Sequence, residues 1–145
     1  MKPEIRRFQP ADLNELLSAW ENASREAHAF LTEAFFIQER VNIPNVYLPN
    51  ADTWVVLDNG KVVGFIALID QEVGGFFIDP VHQGKGLGRA LLDQAHSLHS
   101  TLELDVFKKN TIGRHFYQIY GFRCIGEKMH EETAETLLRL RYERN

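Results

Sequence analysis

Hydrophobic and polar positions alternate with a period of two in several short stretches of the chain, and this spacing predicts β-strands. In TWVVLDNGKVVGFIALID, two β-branched runs flank Asn59 and Gly60, the pair that type I′ turns prefer, so we expect a hairpin there. IRRF predicts a short first strand, and EVGGFFID, TLELDVF, FRCIGEKM and TLLRLRY predict four more. The pattern therefore predicts about seven strands, spread over the whole chain.

Four other stretches carry apolar residues at helical spacing. ADLNELLSAWENA predicts the first helix, and a second covers about Glu33 to Val41. NTIGRHFYQIYGF predicts the last helix, which we expect to be capped by Asn110 or Thr111 and to stop at Gly121. The third helix follows IDPVHQGKG, and its apolar stripe consists of Leu87, Leu91, Ala95 and Leu98. The order β-α-α-β-β-β-α-β-α-β-β indicates an α+β domain with a mixed sheet.

Composition narrows the class of protein. The 145 residues are 44% hydrophobic and 25% charged, which is typical of one globular domain, and we expect a single domain over residues 1–145. The net charge of −4 argues against a nucleic-acid binder that works by bulk charge. No apolar run approaches the roughly 20 residues of a membrane helix, and the N-terminus lacks the apolar core of a signal peptide. Cys124 is the only cysteine, so no internal disulfide can form, and we expect a soluble cytoplasmic protein. Because Cys124 lies in a predicted strand, we expect it to be a small core residue.

The stretch IDPVHQGKGLGRALLDQA predicts a strand end, a turn and a helix, and its turn contains three glycines. A helix N-terminus has unpaired N–H donors and the positive end of the helix dipole, so it attracts anions. Gly86 and Gly88 would let a phosphate approach the backbone, and Lys85 and Arg89 add positive charge. A diphosphate is the expected ligand. The P-loop pattern is excluded because Lys85 precedes a glycine, and the spacing of the glycines does not fit G-x-G-x-x-G.

Two motifs carry a resemblance to a known family. QGKGLG, from Gln83 to Gly88, resembles the Q/R-x-x-G-x-G/A signature of the Gcn5-related N-acetyltransferase (GNAT) superfamily. NTIGRHFYQIYGF resembles the family's N-x-x-A-x-x-F-Y-x-x-x-G-F helix, with Gly113 in the place of the alanine. The order of predicted elements is similar over nearly all 145 residues. The resemblance implies an α+β GNAT fold, in which a mixed, centrally splayed sheet of about seven strands is flanked by four helices.

The resemblance also implies acetyl-coenzyme A as the acetyl donor, with its pyrophosphate at the glycine turn and its pantetheine arm along the strand Val73 to Ile78. Gly74 and Gly75 would suit either a bulge in that strand or close packing on the first helix. The cofactor-binding residues implied are Phe77, Ile78, Gln83, Gly84, Lys85, Gly86, Leu87, Gly88, Arg89 and Asn110. No metal is expected, because His96 and His99 lack a Cys or carboxylate that would complete a ligand set.

Tyr117 occupies the tyrosine position of the family's F-Y pair, where its hydroxyl would protonate the departing thiolate. His28 and Phe30 lie in the segment where this superfamily usually builds its acceptor pocket, and both are candidate acceptor-binding residues. The sequence leaves the general base open. The candidates are Glu72, which we expect in a solvated turn, Glu26, Glu33 and His28.

The function that the resemblance implies is transfer of an acetyl group to a primary amine, by direct attack in a ternary complex. A non-catalytic acyl-coenzyme A sensor on the same fold is the main alternative, and a nucleotide or phosphosugar binder is a third. The acceptor is a small-molecule or peptide amine that the sequence does not identify. We expect neither nucleic acid nor membrane as a partner, and the sequence leaves a homodimer open.

Overall fold

The computed structural model describes residues 3–143, and its strands form one seven-stranded sheet. The strands are β1 Glu4–Arg7, β2 Asp52–Asp58, β3 Lys61–Ile69, β4 Glu72–Ile78, β5 Thr101–Phe107, β6 Arg123–His130 and β7 Glu135–Glu143. The helices are α1 Leu13–Ala27, α2 Glu33–Asn42, α3 Leu87–Leu98 and α4 Thr111–Tyr120. A π-helical turn, Ile43–Tyr47, and a 3₁₀ turn, Leu48–Asn50, continue α2 through the region of two prolines. The predicted order of strands and helices is confirmed.

The sheet has the strand order β1-β2-β3-β4-β5-β7-β6, and every neighbouring pair is antiparallel except β4 and β5. These two parallel strands pair at a single position, Glu72 with Glu103. Beyond that point they separate, so the backbone edge of β4 faces a gap instead of a neighbouring strand. This confirms the predicted central splay.

Ion pairs hold the strands together where the splay begins. Arg139 of β7 binds Glu72 through both terminal guanidinium nitrogens, and its Nη2 atom lies 2.9 Å from Glu103. Its Nη1 atom lies 3.3 Å from Asp105. The expectation that Glu72 lies in a solvated turn is wrong, because Glu72 is the first residue of β4 and is engaged by Arg139. Its carboxylate supports the sheet, and it is not available as a free base.

Two backbone features of the sheet agree with predictions made from the sequence. Asn59 and Gly60 have φ angles of 53° and 79°, and positive φ at both central positions is the signature of a type I′ turn. On the next hairpin, the register between β3 and β4 shifts between Ala67 and Leu68, which leaves Gly74 as the extra residue. The bulge expected at the glycine pair is therefore present, at Gly74.

The core has one cluster on each face of the sheet. Helices α3 and α4 cover one face and α1 and α2 the other. Leu87, Leu91 and Ala95 are buried as predicted, but Leu98 is 44% exposed because α3 ends there. The three apolar residues of β5 that alternate with charged ones are also buried. None of the helices described in residues 3–143 is long and apolar enough to span a membrane.

Cys124 is exposed, so the expectation of a core cysteine is wrong. It lies on β6, which is the last strand of the sheet and pairs only with β7. The side chains of β6 are exposed along the strand up to His130, which is half-buried. An isolated stretch of sequence does not reveal which strand will be at the edge.

Candidate active site

A cleft of about 780 Å³ opens where β4 and β5 separate, and it contains most of the candidate residues. One end lies at the glycine turn and the start of α3; we call it the glycine end, formed by Gln83, Gly84, Gly86, Gly88 and Arg89. The other lies between α1, α2 and the sheet; we call it the aromatic end, formed by His28, Phe35, Phe77, Phe107 and His130. Asn110 and Tyr117 line the same cleft.

The glycine end offers open space beside backbone donors. Gly84 and Gly86 have φ angles of 83° and 82°, and a Cβ atom added to either would meet nothing within 4 Å. Gly86 is the N-cap residue of α3, so the unpaired N–H groups of the first helical turn adjoin this space. A phosphate group fits an open helix N-terminus of this kind.

Gly88 serves packing instead of ligand access. A Cβ atom there would lie 3.1 Å from the ring of Phe116 and 3.3 Å from the ring of Phe76. Both contacts are closer than ordinary side-chain packing allows. The glycine therefore lets α3 pack closely against α4 and β4, which keeps the helix N-terminus over the cleft.

Lys85 and Arg89, the two basic residues at the glycine turn, make different contacts. The Lys85 ammonium lies 3.2 Å from the Asp58 carboxylate, and Lys85 does not line the cleft. Arg89 does line the cleft, with its guanidinium 5.3 Å from the centre of the Tyr120 ring. Of the two, Arg89 is better placed to meet an anion in the cleft.

Gln83 and Leu87 also support the framework of the glycine end. The Gln83 side-chain amide donates a hydrogen bond of 3.1 Å to the Ile78 carbonyl, which fixes the turn to the end of β4. Leu87 is only 6% exposed and belongs to the core on the α3 side. Both residues reach the cleft while anchoring the turn.

The backbone of β4 presents alternate residues to the gap. The Asp79 N–H donates to the Val63 carbonyl of β3, at 2.8 Å. Because backbone groups of successive strand residues point to opposite edges, Phe77 also faces β3, whereas Phe76 and Ile78 face the gap. Of the two β4 residues expected to bind the cofactor, Ile78 therefore presents its backbone to the gap, whereas Phe77 does not and Phe76 does. The Phe77 ring contributes to the aromatic end instead.

Asn110 connects α4 to α1 through His28. The Asn110 Oδ1 atom caps α4 by accepting from the Gly113 N–H at 2.9 Å, so its Nδ2 atom is the one that lies 3.3 Å from His28 Nε2. Since Nδ2 is a donor, His28 Nε2 accepts, and His28 Nδ1 carries the proton that Ser24 Oγ accepts at 3.1 Å. A Cβ atom at Gly113 would lie 2.6 Å from Asn110 Nδ2, so a larger residue there would require the Asn110 side chain to shift.

His28 is held neutral by its surroundings. Burial lowers the pKa of its imidazole to about 4, and its ring packs against Phe107 with centroids 5.1 Å apart. A base whose pKa is this low, and whose accepting nitrogen is already used by Asn110, is poorly suited to take a proton at neutral pH. His28 therefore shapes the aromatic end and positions Asn110.

Phe30 lies just outside the cleft. It lines a neighbouring pocket of about 350 Å³ between α2 and the turn that joins β6 to β7. Its ring contacts His28 and Phe107, with centroids 5.9 Å and 5.5 Å apart. Phe30 therefore supports the wall of the aromatic end from behind.

Tyr117 presents its hydroxyl from α4 while its ring is buried. The ring packs against Phe76 and Phe122, with centroids 6.1 Å and 5.4 Å away. Burial raises the pKa of the phenol above its ordinary value, so the hydroxyl stays protonated at neutral pH. Among residues 3–143 the hydroxyl has no hydrogen-bond partner, which leaves it available to a ligand in the cleft.

The other candidate bases lie away from the cleft. Glu33 binds Arg25 at 2.6 Å, and this ion pair lowers the pKa of the exposed Glu33 carboxyl. Glu26 is exposed on α1, and neither glutamate lines the cleft. The described part of the chain, residues 3–143, contains no cluster of three His, Cys, Asp or Glu side chains that could hold a metal ion.

Sequence reasoning missed several residues of the cleft. Phe35 and Glu39 line it, and their spacing of four residues on α2 places them on one helix face, which was an available signal. Phe107 and His130 come from two different strands, and no local pattern brings them together. Only the fold places these four side chains around one space.

Comparison with known proteins identifies the family. The family described as Acetyltransferase (GNAT) domain matches residues 49–124, just over half of the chain. Peptidyl-lysine N-acetyltransferase YjaB of Salmonella typhimurium is 32% identical over 127 residues, which cover 87% of each chain. The chain belongs to the GNAT acetyltransferase family. It is an N-acetyltransferase by this membership, and the predicted family and fold are confirmed.

Solved structures of GNAT proteins have the same fold. The solution structure of apo YjaB from Escherichia coli matches with a TM-score of 0.87 and 30% identity, covering 98% of both chains. The PaiA N-acetyltransferase of Thermoplasma acidophilum, solved in complex with coenzyme A, matches with a TM-score of 0.78 over 99% of this chain and 100% of that one. At 18% identity, the second match supports the fold alone.

The family match is uneven along the cleft. Residues 49–124 contain the whole glycine end as well as Asn110 and Tyr117. Helices α1 and α2 lie outside this range, and so do His28, Phe35 and His130 of the aromatic end. Family membership therefore bears on the glycine end more than on the aromatic end.

Proposed function

We propose that this protein transfers an acetyl group from acetyl-coenzyme A to a primary amine, by direct attack while both substrates are bound. The observation that carries the proposal is that a single cleft joins the open N-terminus of α3 to the Tyr117 hydroxyl, which has no partner within residues 3–143. A phosphate-bearing donor at one end would thus place its reactive group near a proton donor.

The residues present fit acetyl-coenzyme A. Gly84, Gly86 and Arg89 would hold the pyrophosphate, because they combine open backbone donors with a positive charge. The gap-facing backbone of Phe76 and Ile78 would pair with the pantetheine arm, in the manner of an added strand. Gln83, Leu87 and Gly88, which the sequence also indicated as cofactor-binding residues, would act indirectly, because they fix the position of the glycine turn.

When bound, acetyl-coenzyme A supplies a thioester whose leaving thiol has a pKa of about 8.5. Backbone N–H groups of β4 that face the gap would polarise the acetyl carbonyl. Tyr117 would donate its proton to the departing sulfur, because burial keeps the phenol protonated at neutral pH. The acceptor nitrogen loses one proton as the amide forms, and this proton would restore the phenol, directly or through water. Asn110 would hold the arm with the Nδ2 hydrogen that His28 does not use.

We propose the ε-amine of a lysine in a peptide as the acceptor. The YjaB relative is named a peptidyl-lysine N-acetyltransferase, and this chain aligns with 87% of it. The aromatic end would accommodate the apolar four-carbon stem of a lysine side chain. A single domain over residues 1–145 and a cytoplasmic location are parts of the same proposal, and a homodimer is compatible with it.

The experiment that tests the proposal is acetylation of blocked lysine peptides by the wild type and by Tyr117→Phe, followed by mass spectrometry. We expect the variant to keep its affinity for acetyl-coenzyme A and to lose roughly ten- to a thousand-fold in kcat, because the proton donor is gone. Tyr142→Phe is the matched control, because this variant also loses a tyrosine hydroxyl, and Tyr142 does not line the cleft. Donor binding without transfer by the wild type would favour the sensor function instead.

A further inference from the structure

Two carboxylates line the cleft, and only one of them is neutralised. Asp105 lies 3.1 Å from the Lys128 ammonium and 3.3 Å from the Arg139 guanidinium. Glu39, on α2, makes no ion pair with any residue of the described range 3–143. A carboxylate that lines a ligand cleft without a protein cation is suited to a cation brought by the ligand.

Glu39 is held in place by neutral donors that use one of its two oxygens. The Tyr47 hydroxyl donates to Oε2 at 2.6 Å, and the Asn42 side-chain amide lies 3.4 Å from the same oxygen. The π-helical turn Ile43–Tyr47 brings Tyr47 back along the helix to reach Glu39. Burial and the nearby Glu39 carboxylate raise the pKa of the Tyr47 phenol to about 12, so it remains a donor at neutral pH. Oε1 accepts no hydrogen bond from residues 3–143.

The basic residues around this end of the cleft are already paired elsewhere. Arg40 binds Glu21 at 2.7 Å, and Arg25 binds the same carboxylate at 3.1 Å. Lys109 lies 3.2 Å from Glu135. Each of these basic side chains is therefore paired with a carboxylate other than Glu39.

A second acidic residue faces the same region. Glu132, in the turn between β6 and β7, lines the neighbouring pocket together with Gln38 of α2. Its charge also raises the pKa of the Tyr47 phenol, as a smaller effect than burial and Glu39. Two carboxylates, Glu39 and Glu132, therefore lie near Tyr47 beside the aromatic end, which favours entry of a positively charged group.

We infer that Glu39 Oε1 binds the positive charge of the acceptor as it enters, so that Glu39 selects a lysine ammonium over an uncharged side chain. The bound ammonium then releases one proton to solvent, and the neutral amine attacks the thioester. The inference rests on the proposed function and adds the residue that recognises the acceptor. Phe35, one helical turn before Glu39 and also in the cleft, would contact the alkyl stem of the same side chain.

The test is calorimetric titration of the protein, with and without coenzyme A, with two peptides blocked at both ends. One peptide carries a single lysine and the other carries norleucine at that position. For Glu39→Gln we expect about ten-fold weaker binding of the lysine peptide and unchanged binding of the norleucine peptide, because the variant loses one charge and keeps the shape. In steady-state assays the KM for the lysine peptide should rise by a similar factor, with kcat within about two-fold.

Glu127→Gln is the matched control, because Glu127 is exposed on β6 and lies outside the cleft. It should bind both peptides as the wild type does. Tyr47→Phe removes only the hydroxyl that orients Glu39, and we expect a smaller rise in KM, of about two- to five-fold.

Equal affinity of Glu39→Gln and the wild type for the lysine peptide would overturn the inference, and so would a wild type that does not bind the peptide. A fall in kcat with unchanged KM would also overturn it, since Glu39 would then act on the proton and not on binding. Failure of the proposed function would look different. The wild type would bind the lysine peptide through Glu39 and still transfer no acetyl group.

Discussion

The glycine end and the aromatic end of the cleft are built on different principles. The glycine end consists mainly of backbone, with open space beside Gly84 and Gly86 at the start of α3. The aromatic end consists of side chains from five parts of the fold, namely the end of α1, α2, β4, β5 and β6, and its polar contacts are internal, such as that between His28 and Asn110. A site made of backbone can be kept while side chains change, whereas a site made of side chains changes with each substitution.

Because of this difference, family membership bears on the donor more than on the acceptor. The family match covers residues 49–124, and with them the whole glycine end. Phe35 and Glu39, which we propose to face the acceptor, lie outside that range. We therefore expect the donor to be common to the family and the acceptor to be set by α1, α2 and the turn between β6 and β7.

The largest effect expected from the aromatic end is on stability at low pH. His28 has a folded-state pKa of about 4, below its ordinary value near 6.5, because burial opposes its charge. The unfolded chain therefore binds a proton more readily. The contribution of His28 is complete above pH 6.5 and is lost as the pH falls toward 4. Loss of this contribution should lower the free energy of unfolding by about 2 kcal/mol between pH 7.5 and pH 5.

His28→Gln isolates this contribution, since glutamine can still bond with Asn110 but does not titrate. Urea unfolding at pH 7.5 and pH 5 measures it for both proteins. We expect the wild type to lose about 2 kcal/mol more than the variant over this interval. Equal losses would mean that the surroundings of His28 do not disfavour its charged form, and this would contradict the lowered pKa.

The smallest effect on stability and activity is expected for a substitution of Cys124, which lies outside both ends of the cleft. It is exposed on the edge strand β6, and its thiol donates a hydrogen bond to the Gly126 carbonyl, at 3.4 Å. Cys124→Ser should change the free energy of unfolding by less than about 0.5 kcal/mol and leave kcat unchanged. A loss of about 2 kcal/mol or more in urea unfolding would restore the interpretation of Cys124 as a core residue.

Local patterns in the sequence predicted the features that depend on local backbone. The type I′ turn at Asn59 and Gly60 and the cap of α4 by Asn110 were both confirmed, because each depends on a few adjacent residues. The glycine turn was recognised in the same way. The glycine turn makes up most of the glycine end.

Features that depend on contacts between distant elements were missed or wrong. Cys124 was expected in the core because nothing in its strand reveals that β6 is at the edge of the sheet. Glu72 was expected to be solvated, but Arg139, which binds it, is 67 residues away in the chain. Glu39 was missed as a residue of the cleft because its spacing from Phe35 indicates a shared helix face but not what that face contacts.

The most direct test of the central claim compares two glycines with the same backbone conformation. Gly86 and Gly60 have φ angles of 82° and 79°, and an added Cβ atom would meet nothing within 4 Å at either position. Gly86 lies in the cleft, whereas Gly60 lies in the turn between β2 and β3, outside it. Alanine should therefore strain the backbone equally at both positions, by about 1–2 kcal/mol.

The measurement is calorimetric titration of the wild type, Gly86→Ala and Gly60→Ala with acetyl-coenzyme A, with ATP and NAD as control ligands. We predict selective binding of acetyl-coenzyme A by the wild type and by Gly60→Ala. For Gly86→Ala we predict at least about ten-fold weaker binding, because the methyl group occupies the space left for the phosphate. Equal affinities of the two variants, or no binding by the wild type, would contradict the claim that the glycine end is a backbone site for the acetyl donor.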